Sequence, residues 1–206
     1  MPDNKTCFII MPITTPESMI EKYRDGEEHF SHVLESLFIP SIVDAGFEPI
    51  RPIAEGAEVI HARIIDNLLT ADIVLCDMSC LNPNVFFELG VRTALNKPVC
   101  LVKDEMVDRL PFDTGIINCY EYKKDLNGWE LDDHKISLIS HLKKSYENSN
   151  EQNTLWKLLG FKASARLSEG GTMENKVDML LLSVESLSSK FLKLSDDMER
   201  TKLLKS

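Results

Sequence analysis

Apolar and polar positions alternate along the first half of the chain in blocks that switch between two periods. Residues 6–11 (TCFIIM) form an apolar run closed by Pro12, the pattern of a buried strand followed by a loop. Residues 13–26 are polar and contain Pro16 and Gly26, so a loop is expected there. Over residues 29–45 apolar side chains recur at helical spacing (Phe30, Val33, Leu34, Leu37, Phe38), and Gly46 stands where a helix would stop. Residues 47–53 read as a short second strand. Ile60, Ile64, Ile65 and Leu68 then mark an amphipathic helix over 59–71. Residues 73–76 read as a third strand and 84–95 as a third helix. A fourth strand follows over 99–102, after the Lys97-Pro98 break, and a fifth short one over 116–122.

Strand-helix alternation of this kind predicts an α/β domain over residues 1–122. Its form is a flavodoxin- or Rossmann-like parallel sheet of about five strands with helices on both faces. Such sheets bind ligands beyond the C-terminal ends of their strands, near the topological switch point. The loops at 11–13, 51–52 and 77–84 are therefore the places to look. From residue 123 the pattern changes. A helix is expected over 126–142 and a polar loop over 144–154, within a helical extension that spans 123–168. Residues 167–172 (LSEGGT) form a linker. In the tail, 173–206, Val177, Leu180, Val184, Leu187, Phe191, Leu194 and Met198 are spaced 3, 4, 3, 4, 3, 4. That is a heptad pattern, and it predicts a coiled coil that self-associates through residues 177–198; the alternative is one helix packed on its own domain.

Composition narrows the function classes. The chain has 206 residues, 43% hydrophobic and 27% charged, with a net charge of -10 and no cluster of Lys and Arg. Duplex nucleic acid is thereby disfavoured as a partner, although a few local cations suffice for a small anion. Cys7, Cys76 and Cys100 lie in strand-like runs, which fits buried free thiols in a reducing compartment. Neither a CxxC pair nor a His/Cys cluster has metal spacing, so no metal is expected. No apolar run is long enough for a leader or a membrane span, so the expectation is a cytoplasmic protein without a membrane partner.

The chemistry concentrates in NPNVFFELG, residues 82–90. Asn84 suits a helix N-cap, which puts Glu88 about one turn into the helix, at the loop's end of the sheet. Phe86, Phe87 and Leu89 would partly desolvate the carboxylate and raise its pKa. A carboxylate held this way serves as nucleophile, or as charge stabiliser for a sugar carbon with oxocarbenium character. The same residues also have plain structural readings. Glu88 and Arg92 are i,i+4 and suit a surface ion pair, Asn82 and Asn84 suit a turn and a cap, and Asp77 suits a strand-end turn.

The run ADIVLCDMSCLNPNVFFELGVRTALNKPVCLV, with CFIIMPI and EPIRPI before it and LPFDTGIINCYEY after it, resembles the bacterial nucleoside 2-deoxyribosyltransferase-like family. That family neighbours the TIR-domain NAD-cleaving enzymes in fold, and the resemblance covers residues 6–122. It implies cleavage of the N-glycosidic bond of NAD or a nucleoside monophosphate, in a bacterial stress or antiphage defence setting. No cofactor is implied, since NAD would be the substrate. Glu88 stands at the position of the family's nucleophile. An acidic residue commonly stands six positions earlier, where this chain has Asn82, which can hydrogen-bond a base or ribose but cannot act as a general acid. By resemblance Asp77 and Asn84 would line the pocket with Asn82. Arg51 matches an arginine able to meet a phosphate, the alternative being a salt bridge to Glu48 or Glu55. Met11, Arg92 and Asp113 complete the implied substrate-binding set, with Met11-Pro12 and Pro111-Phe112-Asp113 matching family loops. The alternative functions are a non-catalytic nucleotide sensor and a TIR-like interaction module that signals through oligomerisation.

Overall fold

The apolar runs become five strands: β1 (Thr6–Ile10), β2 (Glu48–Ile50), β3 (Ile73–Asp77), β4 (Val99–Asp104) and β5 (Cys119–Tyr122). All pairings are parallel, and the order across the sheet is β2-β1-β3-β4-β5. The computed structural model describes residues 5–52, 58–110, 118–150, 152–153 and 155, so the expected linker and heptad tail lie outside the described residues. Strands β1, β3 and β4 are buried along nearly their whole length, as expected for parallel strands covered on both faces.

The covering helices are α1 (His29–Val33), α2 (Ile39–Asp44), α3 (Glu58–Thr70), α4 (Pro83–Ala94) and α5 (Gly128–Ser149). Alternate strand residues feed two separate cores. Cys7, Ile9, Leu75 and Val102 pack with Val33, Leu37 and Ile42 of the α1–α2 region and with Leu138 and Leu142 of α5. On the other face, Phe8, Ile10, Val74 and Leu101 pack with Ile65 and Leu68 of α3 and Val85 and Leu89 of α4. The result is the doubly wound α/β arrangement of flavodoxin-like folds, whose switch point lies between β1 and β3.

Three local expectations change. The helix expected over 29–45 is interrupted by a π-helical turn, Leu34–Phe38, between α1 and α2. Pro40 is the physical reason, because it has no N–H for an i→i−4 bond and its ring crowds the preceding turn. Gly46, at φ 90°, then ends the helix in a conformation that side chains avoid. The polar segment 13–26 is more ordered than a loop, since it carries a 3-10 helix over Glu17–Lys22 and buries Tyr23. Finally, α5 runs through much of the segment expected as a polar loop. Tyr146 packs edge-on against Phe47 with ring centroids 5.4 Å apart, and the Lys5 ammonium lies 4.5 Å above its ring. With Leu138 and Leu142 in the first core, α5 is part of the α/β domain itself.

Arg92 sits in the last turn of α4 and is fully buried, with no ion pair to Glu88. Its guanidinium donates to four carbonyls: Pro98 O at 3.0 Å, Leu68 O at 2.6 Å, Ala71 O at 2.8 Å and Asp72 O at 3.2 Å. These acceptors lie where α3 ends and where the chain enters β3 and β4, at the end of the sheet opposite the switch point. Arg92 is therefore no substrate contact and no surface partner for Glu88. It is a tie between α4 and the turns that start the central strands. Lysine cannot replace this fork, because a single ammonium cannot reach all four acceptors. Arg92→Lys should lower unfolding free energy by about 3 kcal/mol, measured by urea denaturation, because it strands buried carbonyls.

Candidate active site

β3 delivers Asp77 to the ligand end of the sheet, fully buried. Its Oδ1 accepts from the Ser79 N–H at 3.0 Å and the Ser79 hydroxyl at 2.6 Å, and its Oδ2 accepts from the Tyr122 hydroxyl at 2.9 Å. The Ser79 hydroxyl oxygen in turn accepts from the Asp104 N–H at 2.8 Å. Asp104, also buried, accepts from the Tyr23 hydroxyl at 2.5 Å through Oδ2 and from the Met106 N–H at 3.1 Å through Oδ1. This network joins the C-terminal ends of β3, β4 and β5 to the turn that leads into α4. Burial pushes the Asp77 carboxyl up to about 7, against the pull of its Ser79 donors, and burial also raises Asp104.

The turn after Asp77 is strained. Cys80 and Leu81 both adopt left-handed backbone, with φ of 55° and 49°. Such conformations cost about 1–3 kcal/mol each and persist only where surrounding contacts enforce them. Here Ser79 is locked by Asp77 on one side, and Asn82 is locked as the cap of α4 on the other. The Asn82 Oδ1 accepts from the N–H groups of Asn84 at 2.9 Å and Val85 at 3.4 Å. The cap is thus Asn82, not Asn84, because Pro83 takes the first helical position, where its missing N–H costs nothing. Asn84 sits exposed in the first turn.

Glu88 follows on α4, flanked by the buried Val85 and Leu89. Its carboxylate is partly buried and has no hydrogen-bond or ion-pair partner among the described residues. Burial alone raises it to about 7. Burial first, and then the charges of Asp77 and Glu88, push the neighbouring Cys76 thiol up. Asp77 and Glu88 therefore belong to opposite faces of the sheet, Asp77 with Tyr122 on the first core and Glu88 on the helix over the second, and their surroundings differ. Asp77 is saturated with donors, whereas Glu88 is partly desolvated and has no partner among the described residues.

The remaining expected site residues are scattered. Met11 is buried in the first core and Pro12 beside it is buried too. Arg51 extends from the end of β2 and pairs with Glu35 rather than Glu48, while Glu55 lies outside the described residues. Its Nη1 meets Glu35 Oε1, and its Nη2 meets Glu35 Oε2 at 3.0 Å, in an exposed bidentate pair. Arg92 lies at the opposite end of the sheet, and Asp113, with Pro111 and Phe112, lies outside the described residues. Tyr23, Asp104 and Tyr122 were not expected at the site. Of these and their neighbours, Ser79 sits two residues beyond Asp77 in a run the resemblance rests on, and Tyr122 closes the last such run.

No protein-family model matches the chain, and no curated protein matches it. A similar solved structure is the constitutive lysine decarboxylase of E. coli, 11% identical, with a TM-score of 0.36 over 81% of this chain and 21% of that one. The chain thus spans about a fifth of that protein's length, and the likeness carries no argument.

Glu88 and Asp77 both hold their protons more tightly in the fold than in the unfolded chain. Between pH 4.5 and about 7 the folded state therefore binds more protons at Glu88, and stability falls as pH rises. Glu88→Gln should accordingly stabilise the fold at pH 8 by up to about 3 kcal/mol and leave it nearly unchanged at pH 4, read from urea midpoints at both pH values. Tyr122→Phe should cost about 1–3 kcal/mol in the same assay, because it removes a donor from a buried carboxyl.

Proposed function

We propose that the chain cleaves the N-glycosidic bond of a nucleotide-type substrate, with Glu88 as nucleophile or oxocarbenium stabiliser. The observation that carries this reading is the partly desolvated carboxylate of Glu88, without a partner among the described residues, beside the C-terminal end of β3. A partly desolvated carboxylate gains when positive charge develops next to it, as it does at an anomeric carbon losing its base. In the nucleophilic form of the step, a Glu88 oxygen bonds to C1′, the C1′–N bond breaks, and its electron pair leaves with the base. Water then cleaves the glycosyl ester and releases the sugar. The resemblance of residues 6–122 to the nucleoside 2-deoxyribosyltransferase-like family points the same way.

Asn82 refines the substrate. It cannot protonate a departing base, and its amide oxygen is already spent on the first turn of α4. Such a site favours a base that leaves without a proton. The pyridinium of NAD meets that requirement, since it departs as neutral nicotinamide. A nucleoside monophosphate would need its acid from elsewhere. The same occupied cap also supports the second reading, a nucleotide sensor that binds without turnover. In either case self-association through residues 177–198 would bring domains together, in keeping with a defence role activated by assembly.

Purified protein incubated with NAD and a nucleotide panel, followed by chromatography for free base, tests the enzyme reading. Wild type should release nicotinamide, and Glu88→Gln should lose roughly a thousandfold or more of that rate. The rate should rise with pH through about 7, because the ionised carboxylate is the competent form. Equal release by both proteins would end the catalytic reading, and saturable binding without release would leave the sensor. A chain cut at Gly170 should show fewer chains per particle by light scattering, and an unchanged number of chains would remove the tail from the account.

A further inference from the structure

Helix α5 presents two large apolar side chains to solvent. Trp129 is 82% exposed and Ile136 66%, and they stand about two turns apart on one face. The opposite face packs inward through Leu138 and Leu142 of the first core. The outer face also carries Asp133, Lys143 and Glu147, all exposed, and the half-buried Ser140. Residues 129, 133, 136, 140, 143 and 147 are spaced 4, 3, 4, 3 and 4, the pattern of a helix-to-helix seam. A single exposed apolar residue is ordinary, but an aromatic and a branched aliphatic side chain aligned on one seam form a contact surface.

The charges of α5 are unevenly distributed along it. Towards its start stand Glu130, Asp132 and Asp133, with Lys135 held by Asp132 at 3.8 Å. Towards its end stand Lys143 and Lys144, followed by Glu147. The helix macrodipole favours acidic groups in the first turn and basic ones in the last. Asp133 and the two lysines lie a turn inside those ends, so the dipole does not account for them. A helix with an acidic first half and a basic stretch in its second complements a copy of itself laid antiparallel. A two-fold axis produces that arrangement.

We infer that this face of α5 is an interface for a second copy of the chain, with the two α5 helices antiparallel. In the register the seam sets, Asp133 meets Lys143 of the second copy, and Ile136 lies against its Ser140. Trp129 covers the last turn of the opposing helix, where its indole N–H can donate to Glu147. Each of these contacts occurs twice through the two-fold axis. One helical seam buries less than the roughly 800 Å² per partner of a standard interface, so the contact is weak by itself. It does not depend on Glu88, and association through residues 177–198 would strengthen it by raising the local concentration of α5.

Zero-length carbodiimide crosslinking of the full chain tests the interface, on isotopically labelled and unlabelled protein mixed, unfolded in urea and refolded together. On one helix Asp133 and Lys143 are about 15 Å apart, too far to join directly. A peptide pair linking Asp133 to Lys143 in mixed isotopic form is therefore expected, and it can come only from two copies. Ile136→Glu should lower its yield roughly tenfold or more without moving the urea midpoint of the fold, since it removes an exposed apolar contact. Exchanging the charges, Asp133→Lys with Lys143→Asp, should again give a mixed link between the same two positions. Absence of the mixed link, its loss in the exchanged variant, or a yield unchanged in Ile136→Glu would overturn the proposal. Links from Asp133 to Lys190 or Lys193 in its place would also overturn it and assign the seam to the chain's own tail.

Discussion

The buried carboxylate of Asp77 is the constraint on which the ligand end of this protein depends. It stands at the end of β3 with donors on both oxygens, two from Ser79 and one from Tyr122. Through the Ser79 hydroxyl it reaches the backbone of Asp104, so three neighbouring strands end on one hydrogen-bonded cluster. A buried carboxyl without donors would be too costly to keep, and a cluster with every oxygen engaged makes the geometry of the turn nearly unique. That uniqueness holds Cys80 and Leu81 in left-handed backbone and starts α4 at Asn82.

Helix α4 is therefore held at both ends by unlike means. Asn82 caps its first turn, and the guanidinium of Arg92 ties its last turn to four carbonyls at the far end of the sheet. Glu88 lies between these anchors. Its carboxylate is partly buried, and that burial goes uncompensated by any partner among the described residues. Burial raises the Glu88 carboxyl to about 7, so ionising it costs the fold stability. Groups that burden the fold in this way are what a binding or catalytic site requires, and α4 supplies the rigidity that lets the burden stand.

Much of this architecture was legible in the residues. Strand-like runs and helical spacings located all five strands and the helices between them, because burial on a sheet face or helix face imposes a local period. The position of Glu88 at the ligand end followed from the same order of elements. What stayed hidden were choices made by residues distant in sequence. Tyr23 looked like part of a polar loop, yet it meets Asp104. Arg51 had Glu48 nearby in the sequence and pairs instead with Glu35 on the preceding helical segment. Arg92, spaced as a surface partner for Glu88, turned inward because free carbonyls were waiting there.

The sequence by itself determined the order of strands and helices, the doubly wound class, and the placement of a carboxylate one helical step beyond an Asn-Pro-Asn turn. Periodicity is a property of neighbouring residues, so no tertiary contact is needed to read it. Only the tertiary structure decided which polar groups were satisfied and which were left alone. That decision depends on what packing brings within about 3 Å, and it separated the saturated Asp77 from Glu88, which has no partner among the described residues.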